Sequence, residues 1–323
     1  MEKVRLGVLS TAKIGTEKVI PAMQKGKFLE VTAISSRNIE TAKKAAEKLD
    51  IPKTYGSYDE LLADKDIDAV YVPLPNHLHI DWSIKALQAG KHVLCEKPAG
   101  MDYKDALRLD MESKNFPHLK VMEAFMYRFH PQMVKTKKLI KEGRIGEIKN
   151  IHTMFSYFNI NPDNIRNKAD IGGGGLMDIG CYCISLSRFI FEDEPEKVSS
   201  FIEYDPEFHT DRFVAATLKF KNGTSQFSCS TQMFNNQFAE ITGTKGRILI
   251  PVPYTPMPEE KTSIKLQTGE ITEEFNFEAC DKYTIQGDLF AQAILNNTEV
   301  PTPFSDALNN MKVIDSIKRV NVG

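Results

Sequence analysis

No stretch of this sequence approaches the roughly 20 consecutive apolar residues that a membrane-crossing helix requires, so no membrane partner is expected. Neither charge is in excess: 41 Lys and Arg face 43 Asp and Glu, a formal net charge of −2. That balance removes the electrostatic ground for nucleic-acid binding. Short basic clusters such as Lys135, Lys137 and Lys138 fit the solvated face of a helix. Cysteine is sparse and odd in number, five in all, and its spacing frames no disulfide set. Cys181 and Cys183 stand two apart on a predicted helix and point to different faces, so they read as small buried apolar residues rather than a metal pair. No metal site is expected. Met1 to Arg5 enter a charged strand pattern with no signal-peptide core. Together with the cysteines, this predicts a cytoplasmic protein.

What the sequence does contain is ordinary globular composition, with 41% hydrophobic and 26% charged residues. Its 323 residues exceed the usual single domain, so two are expected. The first third alternates strand and helix. Val4 to Leu9, Leu29 to Ser35, Ala69 to Val72, His92 to Cys95 and Lys120 to Ala124 read as strands. Helices are predicted over Ile14 to Met23, with Pro21 as a local irregularity, and over Ile39 to Leu49. Ser57-Tyr58-Asp59-Glu60 is a capping box opening another. Asn76 is expected to cap a helix that ends at Gly90, and Asp102 one that runs through Ser113. Such βαβ repetition means a parallel sheet with helices on both faces.

After Phe125 the pattern changes. Pro131 starts a helix ending near Gly143. Strand-like runs follow at Glu147 to Phe158, Val198 to Tyr204, Phe213 to Phe220, Thr224 to Phe234, Phe238 to Ile250 and Ser263 to Phe277, with a hairpin signal at Asn222-Gly223. Gly175 to Phe191, Tyr283 to Leu295 and Ser305 to Val320 look helical. The fold class is therefore α/β: an N-terminal Rossmann domain with a doubly wound parallel sheet (1–122), then a C-terminal α+β domain with a large open, mainly antiparallel sheet (123–323).

The first strand runs into Ser10-Thr11-Ala12-Lys13-Ile14-Gly15. A dinucleotide fingerprint wants G-x-G-x-x-G/A there. Ser10 and Ala12 stand at the first two glycine positions and Gly15 fits the third, so the match is degenerate, but it closes the first strand of a βαβ unit and opens a helix N-terminus, which is an anion site. The second strand ends in Ser35-Ser36-Arg37. An NAD site expects an acid here for the ribose 2′-hydroxyl. None is present, whereas Arg37 and Ser36 can hold a 2′-phosphate. This predicts NADP(H). The fourth strand ends in Leu74-Pro75-Asn76-His77, placed to line the same cofactor. His77 and His79 make a poor metal pair and read as supporting or packing residues.

The fifth strand ends in Cys95-Glu96-Lys97-Pro98. With Leu6 to Gly15, the run Glu123-Ala124-Phe125-Met126-Tyr127-Arg128-Phe129-His130-Pro131 and the run Gly173-Gly174-Gly175-Leu176-Met177-Asp178-Ile179-Gly180-Cys181-Tyr182, this resembles the glucose–fructose oxidoreductase, inositol dehydrogenase and rhizopine-catabolism (Gfo/Idh/MocA) family over essentially the whole chain. Within it the sequence is most similar to the branch of dimeric dihydrodiol dehydrogenases and NADP-dependent D-xylose dehydrogenases. The resemblance implies that Lys97 is catalytic, and that Glu96 and Pro98 shape the nicotinamide site, often through a cis peptide before the proline. Physically, an ammonium at a strand end can stabilise developing alkoxide character.

Asp178 and Tyr182 are i,i+4 on a predicted helix and share one face. The functional reading is a proton-transfer pair, with Lys97 tuning the phenol of Tyr182. Many relatives carry His at the Tyr182 position, so His-based proton transfer is not expected. By resemblance, Asp178 orients substrate or assists the proton, Arg166 falls near the cofactor with Ile165 replacing a Trp, and Tyr283 touches the cofactor. Tyr127, Arg128 and His130 either line the site or pack. The expected activity is reversible hydride transfer between NADP(H) and a secondary alcohol or hemiacetal carbon of a sugar, polyol or dihydrodiol, with Lys97 and Tyr182 meeting between the domains. The alternative is a catalytically silent NADP-binding regulator or sensor on the same fold. A homodimer or dimer of dimers is predicted, from the two-sided strand face of Phe227, Cys229, Thr231 and Met233.

Overall fold

A computed structural model of the protein describes residues 2–320. The chain divides into two units, one from the N-terminus to Met126 plus Asp281–Leu308, the other Tyr127–Cys280 plus the residues from Asn309 onward.

In the first unit the strands β1 (Val4–Leu9), β2 (Leu29–Ser35), β3 (Lys53–Tyr55), β4 (Ala69–Val72), β5 (His92–Cys95) and β6 (Val121–Glu123) form a parallel sheet in the order β3-β2-β1-β4-β5-β6. Every residue of β4 and nearly every residue of β1 is buried, as strands covered on both faces must be. The order reverses between β1 and β4, and ligands of such sheets sit outside the strand carboxyl ends at that switch. The intervening helices are α1 (Ile20–Met23), α2 (Ile39–Leu49), α3 (Tyr58–Ala63), α4 (Asn76–Gln88) and α5 (Tyr103–Ser113). Asn38, Ser57 and Asp102 cap α2, α3 and α5 with their side chains, each satisfying N–H groups that would otherwise be orphaned. Two expectations are corrected. Asn76 is the first residue of α4, and Pro75 precedes it without a side-chain cap. The helix expected from Ile14 opens with a π-helical turn, Gly15–Val19, before α1.

The second unit opens with α6 (Pro131–Lys141) and holds an eight-stranded sheet. Its strands are β7 (Ile148–Phe158), β8 (Lys197–Tyr204), β9 (Asp211–Lys219), β10 (Thr224–Ser230), β11 (Gln232–Gly243), β12 (Arg247–Ile250), β13 (Thr262–Thr268) and β14 (Ile271–Phe277). Their order is β14-β13-β12-β11-β7-β10-β9-β8. β7 and β10 run parallel, and the other neighbours are antiparallel. The runs read as single strands over 238–250 and 263–277 are hairpins, turning at Thr244-Lys245-Gly246 and at Gly269-Glu270. Alternation with a period of two continues through these short turns, which is why the pattern conceals them. α7 (Cys181–Phe191), between β7 and β8, lies against one face.

Two helices follow the sheet, α8 (Lys282–Leu295) and α9 (Phe304–Arg319). α8 belongs to the first unit, whereas a single crossing at 122/123 had been expected. Its attachment there is specific: Thr284 Oγ1 donates to Ala22 O at 2.7 Å, and Asp288 accepts from the Lys27 and Phe28 N–H groups at 2.8 and 3.0 Å. The later part of α9 joins the second unit, where Ser200 Oγ donates to Ile317 O at 2.7 Å.

Of the residues chosen from sequence as the uncovered face of the second sheet, three are covered and Met233 is half-exposed. Phe227, Cys229 and Thr231 are buried, and Cys229 Sγ lies so close to Gly180 that a Cβ there would come within 2.9 Å of it. The open face of the sheet is the opposite one, a shallow trough lined by Phe201, Ala215, Thr217, Gln226, Ser228 and His152. Strand alternation was right, but the assignment was one residue out of phase.

Candidate active site

In the first unit the predicted cofactor residues gather at the strand carboxyl ends. Ser10 follows β1 with φ 125°, a conformation that favours glycine. The backbone therefore makes the tight turn of the fingerprint although the residue is serine. Its hydroxyl donates to Pro73 O at 3.3 Å and accepts from Ala12 N at 3.1 Å. Thr11, Ala12 and Ile14 are half-exposed and Lys13 exposed. At the end of β2, Ser36 is half-exposed and accepts from Asn38 N at 3.4 Å. Arg37 is exposed beside Tyr58: burial raises that phenol's pKa, and the Arg37 charge opposes the rise. These positions fit a dinucleotide with an added phosphate, because the turn is formed and an exposed guanidinium takes the place of the ribose-binding acid.

After β4, Leu74 is buried, while Pro75, Asn76 and His77 are half-exposed. His77 Nδ1 is buried without a hydrogen-bond partner among the described residues. His79 packs: its ring nitrogens lie 2.9 Å from Pro98 O and 2.7 Å from Leu74 O, and burial lowers its pKa to about 4. His79 thus sits between the loop after β4 and the loop after β5, and as a neutral ring it donates to only one of the two carbonyls. In that second loop the Lys97–Pro98 peptide is cis. Glu96 is buried, accepting from Tyr71 Oη at 2.6 Å and from Lys97 N at 3.2 Å. Lys97 is half-exposed at the sheet's end. Tyr283, on α8, is buried, and its phenol pKa is raised by burial and then by the charges of Glu96 and Asp281.

The second unit holds Tyr182, Asp178 and Arg166. A π-helical turn, Leu176–Gly180, carries Asp178 and leads directly into α7, on which Tyr182 sits. Asp178 Oδ2 accepts from Tyr157 Oη and from Arg166 Nε, each at 2.7 Å. The Asp178 charge strengthens the protonated form of Arg166, while burial and then the same charge push the Tyr157 phenol up. Arg166, expected beside the cofactor, is thus committed through Nε to Asp178. Tyr182 is buried among aromatic rings, with centroids 5.6 Å from Tyr127, 5.7 Å from Phe155 and 5.5 Å from Tyr254. Tyr127 and Arg128 pack: Tyr127 Oη lies 2.8 Å from Ser185 Oγ, and Arg128 Nη2 donates to the same oxygen at 2.7 Å. His130 is buried and caps α6, its Nδ1 accepting from Gln132 N at 3.3 Å.

Comparison with known proteins identifies the family. Residues 4–115 match the model of the oxidoreductase family with an NAD-binding Rossmann fold, and residues 133–249 match the GFO/IDH/MocA C-terminal domain. An oxidoreductase of Rhizobium meliloti, ORF334, is 40% identical over 99% of this chain and 97% of its own. The D-xylose 1-dehydrogenase (NADP(+)) 2 of Haloferax volcanii is 34% identical over 96% of this chain and 95% of its own. The chain belongs to the Gfo/Idh/MocA family. Among solved structures, the 3-ketoreductase KijD10 of Actinomadura kijaniata, in complex with NADP and TDP-benzene, superposes with a TM-score of 0.92 at 31% identity, over 99% of this chain and 98% of its own. The protein is accordingly an oxidoreductase with a dinucleotide-binding Rossmann unit.

Two residues that contact the Leu176–Gly180 turn were not singled out from the sequence. Tyr157 reaches Asp178 from β7, and Asp211 reaches the start of the Leu176–Gly180 turn from β9. Alternation along β7 puts Tyr157 on the face opposite Phe158, a weak signal that was available. Asp211 gave none, since the apolar pattern of its strand begins only at Phe213.

Proposed function

We propose that this protein is an NADP(H)-dependent dehydrogenase or reductase acting on a secondary alcohol or hemiacetal carbon of a sugar-, polyol- or dihydrodiol-like substrate. The observation that carries this reading is the residue set: a half-exposed Lys97 at the end of β5, and a Tyr182 whose helix begins beside the Tyr157–Asp178–Arg166 cluster. Bound NADP(H) supplies or accepts the hydride. Ser10 to Ile14, Leu74 to His77, Glu96 and Tyr283 hold the cofactor, and Ser36 with Arg37 selects its 2′-phosphate. Lys97 stabilises the reacting oxygen as charge develops on it, Tyr182 carries the proton, and Asp178 with Arg166 orients the substrate. Relatives point the same way: one is named an NADP(+)-dependent D-xylose dehydrogenase, others trans-1,2-dihydrobenzene-1,2-diol dehydrogenases. KijD10 has been solved with NADP as a lysine-to-alanine variant and as a tyrosine-to-phenylalanine variant. The protein works in the cytoplasm as a homodimer or dimer of dimers, joined through the open sheet face around Phe201 and Gln226.

The test is turnover of a panel of aldoses, inositols and dihydrodiols with NADP(H), followed by Tyr182→Phe and Lys97→Met. Each should lower kcat by about 10²–10⁴-fold while NADPH binding survives. The double variant should be little worse than the poorer single one, because groups acting as a unit are not additive. No turnover across the panel would favour a cofactor-bound regulator. Near-normal kcat in Tyr182→Phe would reassign the proton.

A further inference from the structure

The glycine run ahead of Asp178 is held tightly on two sides. A Cβ on Gly173 would stand 2.6 Å from Arg166 O, and Gly174 N donates to that same carbonyl at 2.8 Å. Gly174 has φ 114°, and a Cβ there would lie 2.0 Å from Asp211 Oδ1; one on Gly175 would lie 3.3 Å from Asp211 Oδ2. Asp211 Oδ2 accepts from Leu176 N at 2.5 Å. From this turn the chain proceeds directly to Asp178, whose N–H donates to Gly174 O at 3.1 Å, and on to Tyr182. Asp211 itself is 7% exposed and opens β9, so it is anchored in the sheet.

We infer that Asp211 is a positioning residue of the active site, whose buried carboxylate fixes the turn from which the segment bearing Asp178 and Tyr182 begins. A dry carboxylate is a poor device for stability alone, because burial opposes its charge, and burial does raise the Asp211 pKa. What it provides is a geometric stop. Its Oδ2 receives the Leu176 N–H, and its Oδ1 fills the space where any side chain at residue 174 would stand. A longer or shorter acid would miss that contact. The inference rests on the proposed role of Tyr182, since only then does the placement of this segment govern the rate.

Asp211→Ala and Asp211→Asn, with Gly174→Ala as an independent route to the same disturbance, test it. The readouts are kcat, NADPH affinity by fluorescence titration, and amide hydrogen exchange by peptide. Asp211→Ala and Gly174→Ala should lower kcat by about 10–100-fold, the cost of a misplacement on the order of 1 Å. NADPH affinity should be unchanged, and faster exchange should be confined to residues 174–182. Asp211→Asn, which keeps an acceptor of the same shape, should recover most of the rate. Wild-type kcat in Asp211→Ala would overturn the inference, as would an Asn variant no better than Ala, or faster exchange spread equally over β8 to β10. If the wild type turns over no substrate, the functional reading fails by itself; local exchange in 174–182 then still decides the role of Asp211.

Discussion

The burial of Asp211 has a consequence for stability that can be given a sign and a size. Burial is the largest influence on its carboxyl and raises the pKa from 3.8 to about 7, opposed by the Leu176 N–H and then by the charge of Lys318 on α9. Tyr204 on β8 and Cys229 on β10 also face it, each with its own pKa raised, chiefly by burial. The folded protein therefore holds the Asp211 proton more tightly than the unfolded chain does. The stabilisation is complete below the unfolded value near 3.8 and is lost as pH rises through the folded value near 7. Inside that window each pH unit is worth about 1.4 kcal/mol. Between about pH 5 and pH 6.5 the wild type should thus lose about 2 kcal/mol relative to Asp211→Asn, which cannot titrate. Urea denaturation of both proteins at the two pH values measures this, and the difference between them cancels every other titrating group. A difference independent of pH, or one that moves in favour of the wild type as pH rises, would refute the argument.

Arg37→Ala should raise the KM for NADPH about 5–30-fold, the loss of a charge-assisted contact reduced by exposure to about 1–2 kcal/mol, and leave the KM for NADH little changed. Equal efficiency of the wild type with NADPH and NADH would contradict the assignment of Ser36 and Arg37. For the assembly, light scattering at micromolar concentration should give the mass of a dimer or tetramer, and Phe201→Glu on the open sheet face should lower that mass without altering NADPH affinity. A monomeric wild type would remove the proposed interface.

The Rossmann unit was largely legible because its signals are local. Caps at Ser57 and Asp102, the hydrophobic strand β4 and the Glu96-Lys97-Pro98 run can each be read within a few residues. Ser10 shows where such reading weakens: the fingerprint is degenerate in sequence, yet the backbone at Ser10 adopts the turn a glycine would make. In the second unit the strands were found but their phase was not. Phe227 and Cys229 look like one side of an uncovered sheet until α7 and the Leu176–Gly180 turn are known to lie on them. The return of α8 to the first unit depends on Thr284 and Asp288 meeting residues more than 250 positions earlier, and no local pattern announces such a contact. Asp211 is the extreme case, a lone acid at a strand start whose role exists only once Gly174 is brought against it.

The same contacts bear on which group moves the proton. A proton carrier has to change its charge during turnover, and a group held firmly in one protonation state is badly placed to do so. Glu96 is tied by Tyr71 and by a backbone N–H. On Asp178, one oxygen takes both the Tyr157 hydroxyl and the Arg166 guanidinium, two donors that stabilise the carboxylate over the acid. Tyr157 is held in turn as the neutral phenol, its ionisation opposed by burial and then by the Asp178 charge. Protonating Asp178 would weaken the contact that fixes Arg166, and ionising Tyr157 would place two negative groups together. Asp178 and Tyr157 therefore serve better as a fixed anchor for Arg166 than as a relay. On that argument Tyr182 is the better candidate for the proton in the proposed mechanism, and Asp178 the better anchor for the Arg166 guanidinium.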